Sequence, residues 1–216
     1  DIGVTGVQTC ALPIFMGTLV ARAHEKRATD PNATIDVLVL SGGGDWGAFG
    51  TGFLRGWQEH GATDAKAGMP QFDVVSGVST GALIAPFAFL GTPADLKQVD
   101  DLYCNPKDDW VKTRGLLFFL PDNASFAEVP GLEREVDAAI TMDFAKRVAA
   151  ASRSGRMILI NTTNLDDGGQ QPFAWGLAAQ RAEKDGDLRR LRNILLASSG
   201  IPGAFPPRDV DGSLYV

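Results

Sequence analysis

Asp73-Val-Val-Ser-Gly-Val-Ser-Thr-Gly81 is a short apolar run that delivers a serine between two glycines. Its last five residues, Gly77-Val78-Ser79-Thr80-Gly81, fit the G-x-S-x-G nucleophile elbow, a strained turn from strand into helix. In such a turn the flanking glycines, Gly77 and Gly81, remove side chains that would clash at the corner, and the serine Oγ stands exposed above the sheet. Glycine and serine are common, so the pattern alone is weak. Its context is stronger. Residues 72–75 read as a buried strand end, and Ala82-Leu-Ile-Ala-Pro-Phe-Ala-Phe-Leu90 continues as a mostly apolar helix. Two readings stand at this point: a nucleophilic Ser79, and a purely structural strand-turn-helix.

Upstream, Asp36-Val-Leu-Val-Leu40 is a continuous β-branched and aliphatic run, which predicts a strand buried on both faces of a parallel sheet. It leads into Ser41-Gly42-Gly43-Gly44-Asp45-Trp46-Gly47, then into a segment with Phe49, Phe53 and Trp57 at helical spacing. Three consecutive glycines at a helix N-terminus let backbone N–H groups turn outward toward an anion, either a phosphate or the oxyanion of a tetrahedral intermediate. Gly42-x-Gly44-x-x-Gly47 also satisfies the dinucleotide fingerprint, which asks for an acidic residue at the end of a second strand, about twenty positions on. Asp64 lies at a suitable distance but in a stretch that reads as loop. A glycine turn needed only for close strand–helix packing is the third alternative. The nucleotide reading leaves the elbow unexplained.

A third string, Ala197-Ser198-Ser199-Gly200-Ile201-Pro202-Gly203-Ala204-Phe205-Pro206-Pro207, is more specific than either glycine motif. The three motifs in this order resemble the patatin-like phospholipases, over roughly residues 35–216. The resemblance implies a three-layer α/β/α fold with a mostly parallel central sheet. It implies hydrolysis of acyl esters in lipids by a Ser–Asp dyad without histidine. Carried over residue by residue, it makes Ser79 the nucleophile and the N–H groups of Gly42, Gly43 and Gly44 the oxyanion hole, with Gly47, Gly77 and Gly81 as motif glycines. No metal or organic cofactor is implied.

The histidines support a dyad independently. The chain has two, His24 and His60, and both precede Ser79. In α/β-hydrolases the order is Ser, then Asp or Glu, then His, and nothing after Ser79 here can supply that base. His24 falls in a polar stretch that suits a solvated surface, and His60 beside Gly61 suits a helix C-terminus. A carboxylate must then take the serine proton directly, which demands partial burial to raise its pKa and a tight approach.

The chain departs from the family at two places. The dyad aspartate belongs to an Asp-Gly-Gly or Asp-Gly-Ala motif after the Phe-Pro-Pro segment, whereas this chain has Asp209-Val-Asp211-Gly212-Ser213-Leu-Tyr-Val216. Asp211-Gly212 reads as a β-turn between two short strands, with catalysis by Asp211 as the alternative. The expected base is then an aspartate past Val216, and the chain as given a fragment with a poised serine and no base. Trp46 stands where many relatives carry arginine; it offers one N–H in place of a cation.

The first fourteen residues resemble a translated sequencing-adapter read-through, the alternative being a genuine β-rich start. The expected organisation is therefore a non-native leader over 1–14, a lead-in over 15–34, and a patatin-like domain over 35–216 that is incomplete at its C-terminus. Localisation cannot be read from such an N-terminus. With 216 residues and 44% hydrophobic side chains, the chain can bury the core of one globular domain. A net charge of -6 argues against nucleic acid and against simple electrostatic docking on anionic membrane. The expected partner is a lipid or acyl-ester substrate, with peripheral membrane contact compatible.

Asp100, Asp101, Asp108 and Asp109 suit a solvated helix end or loop better than a metal site. Gly115-Leu-Leu-Phe-Phe-Leu-Pro121 reads as a buried segment or a lipid-facing lid. Residues 132–151 read as helices covering the sheet, 156–163 as another buried strand, and 188–198 as a helix that brings the Ile201 to Pro207 segment toward the catalytic side. Two other functions stay open on the same residues: acyl transfer to an acceptor other than water, and a lipid-binding module without an active base.

Overall fold

The computed structural model describes residues 6–61, 63–64, 67–105, 112–113 and 127–216. The elements run α1 (Gly6–Thr29), β1 (Val37–Leu40), a single 3₁₀ turn (Gly44–Trp46), α2 (Gly47–Gly61), β2 (Val74–Val78), α3 (Thr80–Leu90) and α4 (Pro93–Cys104). Next come the two-residue strands β3 (Lys112–Thr113) and β4 (Ala127–Glu128), α5 (Pro130–Ala139), α6 (Met142–Arg153), β5 (Met157–Thr163) and β6 (Gln170–Ala174). The last are α7 (Trp175–Asp185), α8 (Arg189–Ser198), β7 (Arg208–Val210) and β8 (Ser213–Tyr215).

The central sheet has the order β1-β2-β5-β6. β1 pairs parallel with β2, and β2 with β5; only β6 runs antiparallel, as a hairpin partner of β5. Parallel neighbours need long crossovers, and the helices between these strands supply them. The result is the mostly parallel α/β architecture of an α/β/α fold.

α3 is the centre of the core. Its residues Ala82, Ile84, Ala85, Phe87, Ala88 and Phe89 are all buried, so the helix is apolar all round rather than on one stripe. Phe87 meets Phe144 of α6 with ring centroids 5.1 Å apart. α8 adds Leu191, Ile194, Leu195 and Ala197 to the same cluster. α3 and α8 therefore share one core, and their ends on the carboxyl side of the sheet have little freedom to move apart.

Polar anchors hold the opposite end. Asp73, just before β2, is 1% exposed; it accepts from Arg22 Nε (3.0 Å) and Lys26 Nζ (2.6 Å) of α1, and from the Asp36 N–H (2.9 Å). Burial by itself would push the Asp73 carboxyl up, but these donors together hold it below the ordinary aspartate value. Arg156, at the foot of β5, is buried, donates to the carbonyls of Phe72 and Phe89, and lies over the Phe89 ring. Burial pulls its guanidinium down to about 10.

Three expectations are corrected. β1 is an edge strand of the sheet and is not buried on both faces: Val37 and Val39 are 53% and 72% exposed, while Leu38 and Leu40 pack on the core. An unbroken Val/Leu run therefore marked a strand with one face open among the described residues. β5 likewise alternates, with Ile158, Ile160 and Thr162 turned inward. Asp100 is not solvated; it is 4% exposed, accepting from Thr51 Oγ1 at 3.0 Å and pairing with Arg55, both on α2. Asp101 is exposed and pairs with Lys97, one turn away.

Asp108, Asp109 and the segment 115–121 lie outside the described residues. The start of the chain is helical from Gly6 instead of β-rich. Among the described residues, no helix is long and apolar enough to cross a membrane.

Candidate active site

β2 ends at Val78 and α3 begins at Thr80, so Ser79 alone makes the corner. Its backbone has φ 53° and ψ -125°, a conformation that a side-chain-bearing residue adopts only under constraint, at a cost of about 1–3 kcal/mol. The constraint is visible in the flanking glycines. A Cβ on Gly77 would lie 2.3 Å from the Gly81 carbonyl oxygen, and one on Gly81 would lie 2.3 Å from that of Leu40. Both glycines are thus required by contacts between backbones at this strand-to-helix corner.

The Ser79 hydroxyl makes no helix-capping bond, although the residue sits at the N-cap of α3. That leaves Oγ uncommitted on a half-exposed residue. The backbone N–H is fully engaged instead: it donates to Ser198 Oγ at 3.0 Å, and Ser198 donates to the Asn161 carbonyl at 2.6 Å. Asn161, at the end of β5, donates its side-chain amide to Ser76 Oγ (2.9 Å) and to the Gly77 carbonyl (3.2 Å). The Asn161 side-chain amide is therefore satisfied at the strand end.

The glycine loop lies against this corner. A Cβ on Gly42 would stand 3.0 Å from Ser79 Cβ and 3.6 Å from its Oγ. Beyond it, Gly44 has φ 54°, in the left-handed region that favours glycine. The Gly43 carbonyl accepts from the Trp46 N–H at 3.1 Å, and the Gly44 carbonyl accepts from Thr80 Oγ1 at 3.0 Å. Their carbonyls are therefore tied down on the inner side. Among the described residues, the N–H groups of Gly42, Gly43 and Gly44 donate to no backbone acceptor. Such a row of fixed, unspent donors beside a free hydroxyl is suited to an anion.

Gly47 begins α2, and a Cβ there would lie 2.2 Å from the Tyr103 ring and 2.6 Å from Thr80 Cγ2. Its role is packing: it lets Tyr103 and Thr80 close on the loop. Burial drives the Tyr103 phenol well above its ordinary value, with the Thr80 hydrogen bond pulling the other way. Asp64, the acidic residue the dinucleotide reading needs, lies in the loop after α2 and not at the end of β2.

Asp211 and Gly212 form the turn between β7 and β8, with φ 56° and 88°. Successive positive φ values at a two-residue hairpin loop are the type I′ pattern, in which Asp-Gly is favoured. Asp211 is held bidentate by Arg190 at 3.0 and 2.8 Å. That guanidinium keeps its carboxyl below the ordinary value. Arg190 is eight residues before Ser198 on α8, which is about 12 Å of helix away from the residue that touches Ser79. Asp211 is thus a turn residue paired at the far end of α8.

His24 and His60 are both exposed, on α1 and in the last turn of α2. Around the loop, Trp46, Phe49 and Phe53 are 82%, 76% and 58% exposed and form an apolar surface. Among the described residues, no three His, Cys, Asp or Glu side chains gather as metal ligands.

Sequence reasoning located Ser79 and its glycines but missed Thr80, Tyr103 and Ser198 as the groups that hold them. Only Ser198 left a signal, a hydroxyl at the end of an otherwise apolar helical run. Comparison with known families matches residues 38–216 to the model described as patatin-like phospholipase. No curated protein matches the chain.

Proposed function

The chain belongs to the patatin-like phospholipase family, a family of lipid acyl hydrolases, and from that premise we propose a serine mechanism centred on Ser79. Ser79 Oγ attacks the acyl carbonyl while a carboxylate takes its proton. The carbonyl oxygen becomes an oxyanion and is met by the N–H groups of Gly42, Gly43 and Gly44. Collapse expels the alcohol, which recovers the proton, and leaves an acyl-serine. Water, deprotonated by the same carboxylate, then releases the fatty acid and regenerates the hydroxyl.

The observation that carries this reading is the corner itself. A serine held at φ 53° with no capping role has its strain explained if its Oγ must face a substrate. The exposed Trp46, Phe49 and Phe53 favour an apolar acyl chain over a polar ester.

The base is the aspartate of the family's Asp-Gly-Gly or Asp-Gly-Ala motif, expected past Val216. Supporting it, Val216 is bonded on both sides to Thr163 at the end of β5 (2.6 and 3.0 Å), and its Cα and Cβ lie 3.4 Å from the position of a Cβ on Gly200. Val216 thus lies beside Gly200, two residues past Ser198. Asp211, salt-bridged at the other end of α8, is in the wrong place for that role.

The test is a fluorophosphonate probe, which forms a stable bond only with an activated serine, applied to the full-length protein that carries the aspartate proposed past Val216, the parent of every variant below. We expect labelling at Ser79 and none in Ser79→Ala. A properly folded protein whose Ser79 stays unlabelled would favour a lipid-binding module. Product analysis with added alcohol or lysolipid separates hydrolysis from acyl transfer.

A further inference from the structure

The motif around residues 197–207 takes no part in the proposed chemistry of Ser79. We infer that Ser198 is the positioning residue of the elbow: its hydroxyl holds the backbone of Ser79 in the strained conformation that presents Oγ to the glycine loop. This deepens the reading of Ser79 as nucleophile and rests on it.

The parallel ladder between β2 and β5 ends at the pair Val78↔Asn161. One residue further, a regular parallel strand would carry the ladder on. Ser79 instead turns away with φ 53°, so its N–H leaves the line of the ladder. Two part-buried polar groups are then left facing a gap, the Ser79 N–H and the Asn161 C=O, and each would be costly unpaired. Ser198 Oγ sits in that gap, accepting from Ser79 at 3.0 Å and donating to Asn161 at 2.6 Å. A hydroxyl has one proton and two lone pairs, so it satisfies both at once. Alanine satisfies neither.

The support behind Ser198 is rigid. It is 5% exposed and is the last residue of α8, whose Leu191, Ile194, Leu195 and Ala197 are all buried in the core. The bond therefore ties the corner to a helix anchored in the core. The neighbouring Ser199 has a different partner: its Oγ donates to the Leu195 carbonyl at 2.9 Å within its own helix. Two adjacent serines thus have separable duties, and this makes the inference testable.

The consequence for the site is one of distance. With Gly42 already at contact with Ser79, a small rotation of the Ser79 peptide moves Oγ relative to the glycine N–H groups. Misplacement on the scale of 1 Å costs on the order of 100-fold in rate.

The experiment combines amide hydrogen exchange with fluorophosphonate labelling. In the parent, the Ser79 amide should be protected, and in Ser198→Ala it should exchange about tenfold faster or more. Labelling of Ser79 should slow by about 10- to 100-fold in the same variant. Ser198→Thr, which keeps the hydroxyl, should retain protection and most of the labelling rate, and Ser199→Ala should match the parent in both.

An unprotected Ser79 amide in the parent overturns the inference without any variant, so it remains testable even if Ser198→Ala fails to fold. It is equally overturned if Ser198→Ala labels at the parent rate, or if Ser199→Ala slows labelling as much. A parent whose Ser79 amide is protected but never labels refutes the nucleophile reading and leaves the positioning bond standing.

Discussion

Gly42→Ala tests the site at its tightest point. The new methyl would lie 3.0 Å from Ser79 Cβ, 3.6 Å from Ser79 Oγ and 3.6 Å from the Val78 carbonyl oxygen. Carbon pairs are comfortable at about 3.5–4.0 Å, so the overlap with Ser79 Cβ is about 0.5 Å. Gly42 has no positive φ, and alanine therefore adds no backbone strain of its own. Ser79 cannot easily yield, since its N–H is bonded to Ser198 and its glycines are in backbone contact. The loop must give instead, and it gives along the line that separates Oγ from the three N–H groups.

Loss of one oxyanion donor costs about 100- to 1000-fold in kcat, and a half-ångström shift should cost somewhat less, about 10- to 100-fold. The stability cost of such overpacking is about 1 kcal/mol. The assay is kcat and KM on a short-chain nitrophenyl ester, beside a urea midpoint for each variant. The loss should fall mainly in kcat. Gly43→Ala, whose methyl meets only Trp46 Cβ at 3.4 Å, should be the milder change. A Gly42→Ala protein with parent kcat/KM and unchanged midpoint would refute the placement of the loop over the nucleophile.

Other outcomes follow from the same geometry. Ser79→Gly should unfold at higher urea than Ser79→Ala by about 1–3 kcal/mol, because only glycine is relieved of the strained corner; equal midpoints would mean the corner carries no strain. Asp73→Asn should destabilise by about 2–3 kcal/mol, since Arg22 and Lys26 lose their buried partner. The folded pKa of Asp73 is depressed, so its contribution is fully present above the unfolded value of about 3.9 and is lost as pH falls through the folded one. Below about pH 4 the urea midpoint of the parent should therefore fall faster than that of Asp73→Asn. Asp211→Asn should leave ester turnover unchanged and cost no more than about 1 kcal/mol, because its pair with Arg190 is half-exposed and asparagine tolerates the turn. A large drop in kcat there would reinstate Asp211 as the base.

The elements of the site were legible in the sequence because local chemistry dictates them. A strand delivering Gly-x-Ser-x-Gly into an apolar helix admits few conformations, and Asp211-Gly212 between two short strands admits one common hairpin turn. These signals lie within a few residues of one another, so spacing is enough to read them. The errors came where burial depends on what lies across the molecule. Val37 and Val39 have the composition of a central strand, yet β1 stands at the sheet edge and exposes them. Asp100 has the composition of a solvated turn, yet α2 brings Thr51 and Arg55 against it.

The serine motif, the glycine-rich loop and the third motif are each encoded in contiguous residues and could be read without the fold. Tertiary structure decided how the three meet. Gly42 reaches Ser79 only because β1 and β2 run parallel in register from Val37↔Val74 to Leu40↔Gly77. Ser198 reaches the Ser79 N–H across 119 residues only because α8 packs in the same core as α3. A hydrogen bond formed at 3.0 Å between groups so far apart in the chain is set by the packing of everything between them, and no local pattern records it.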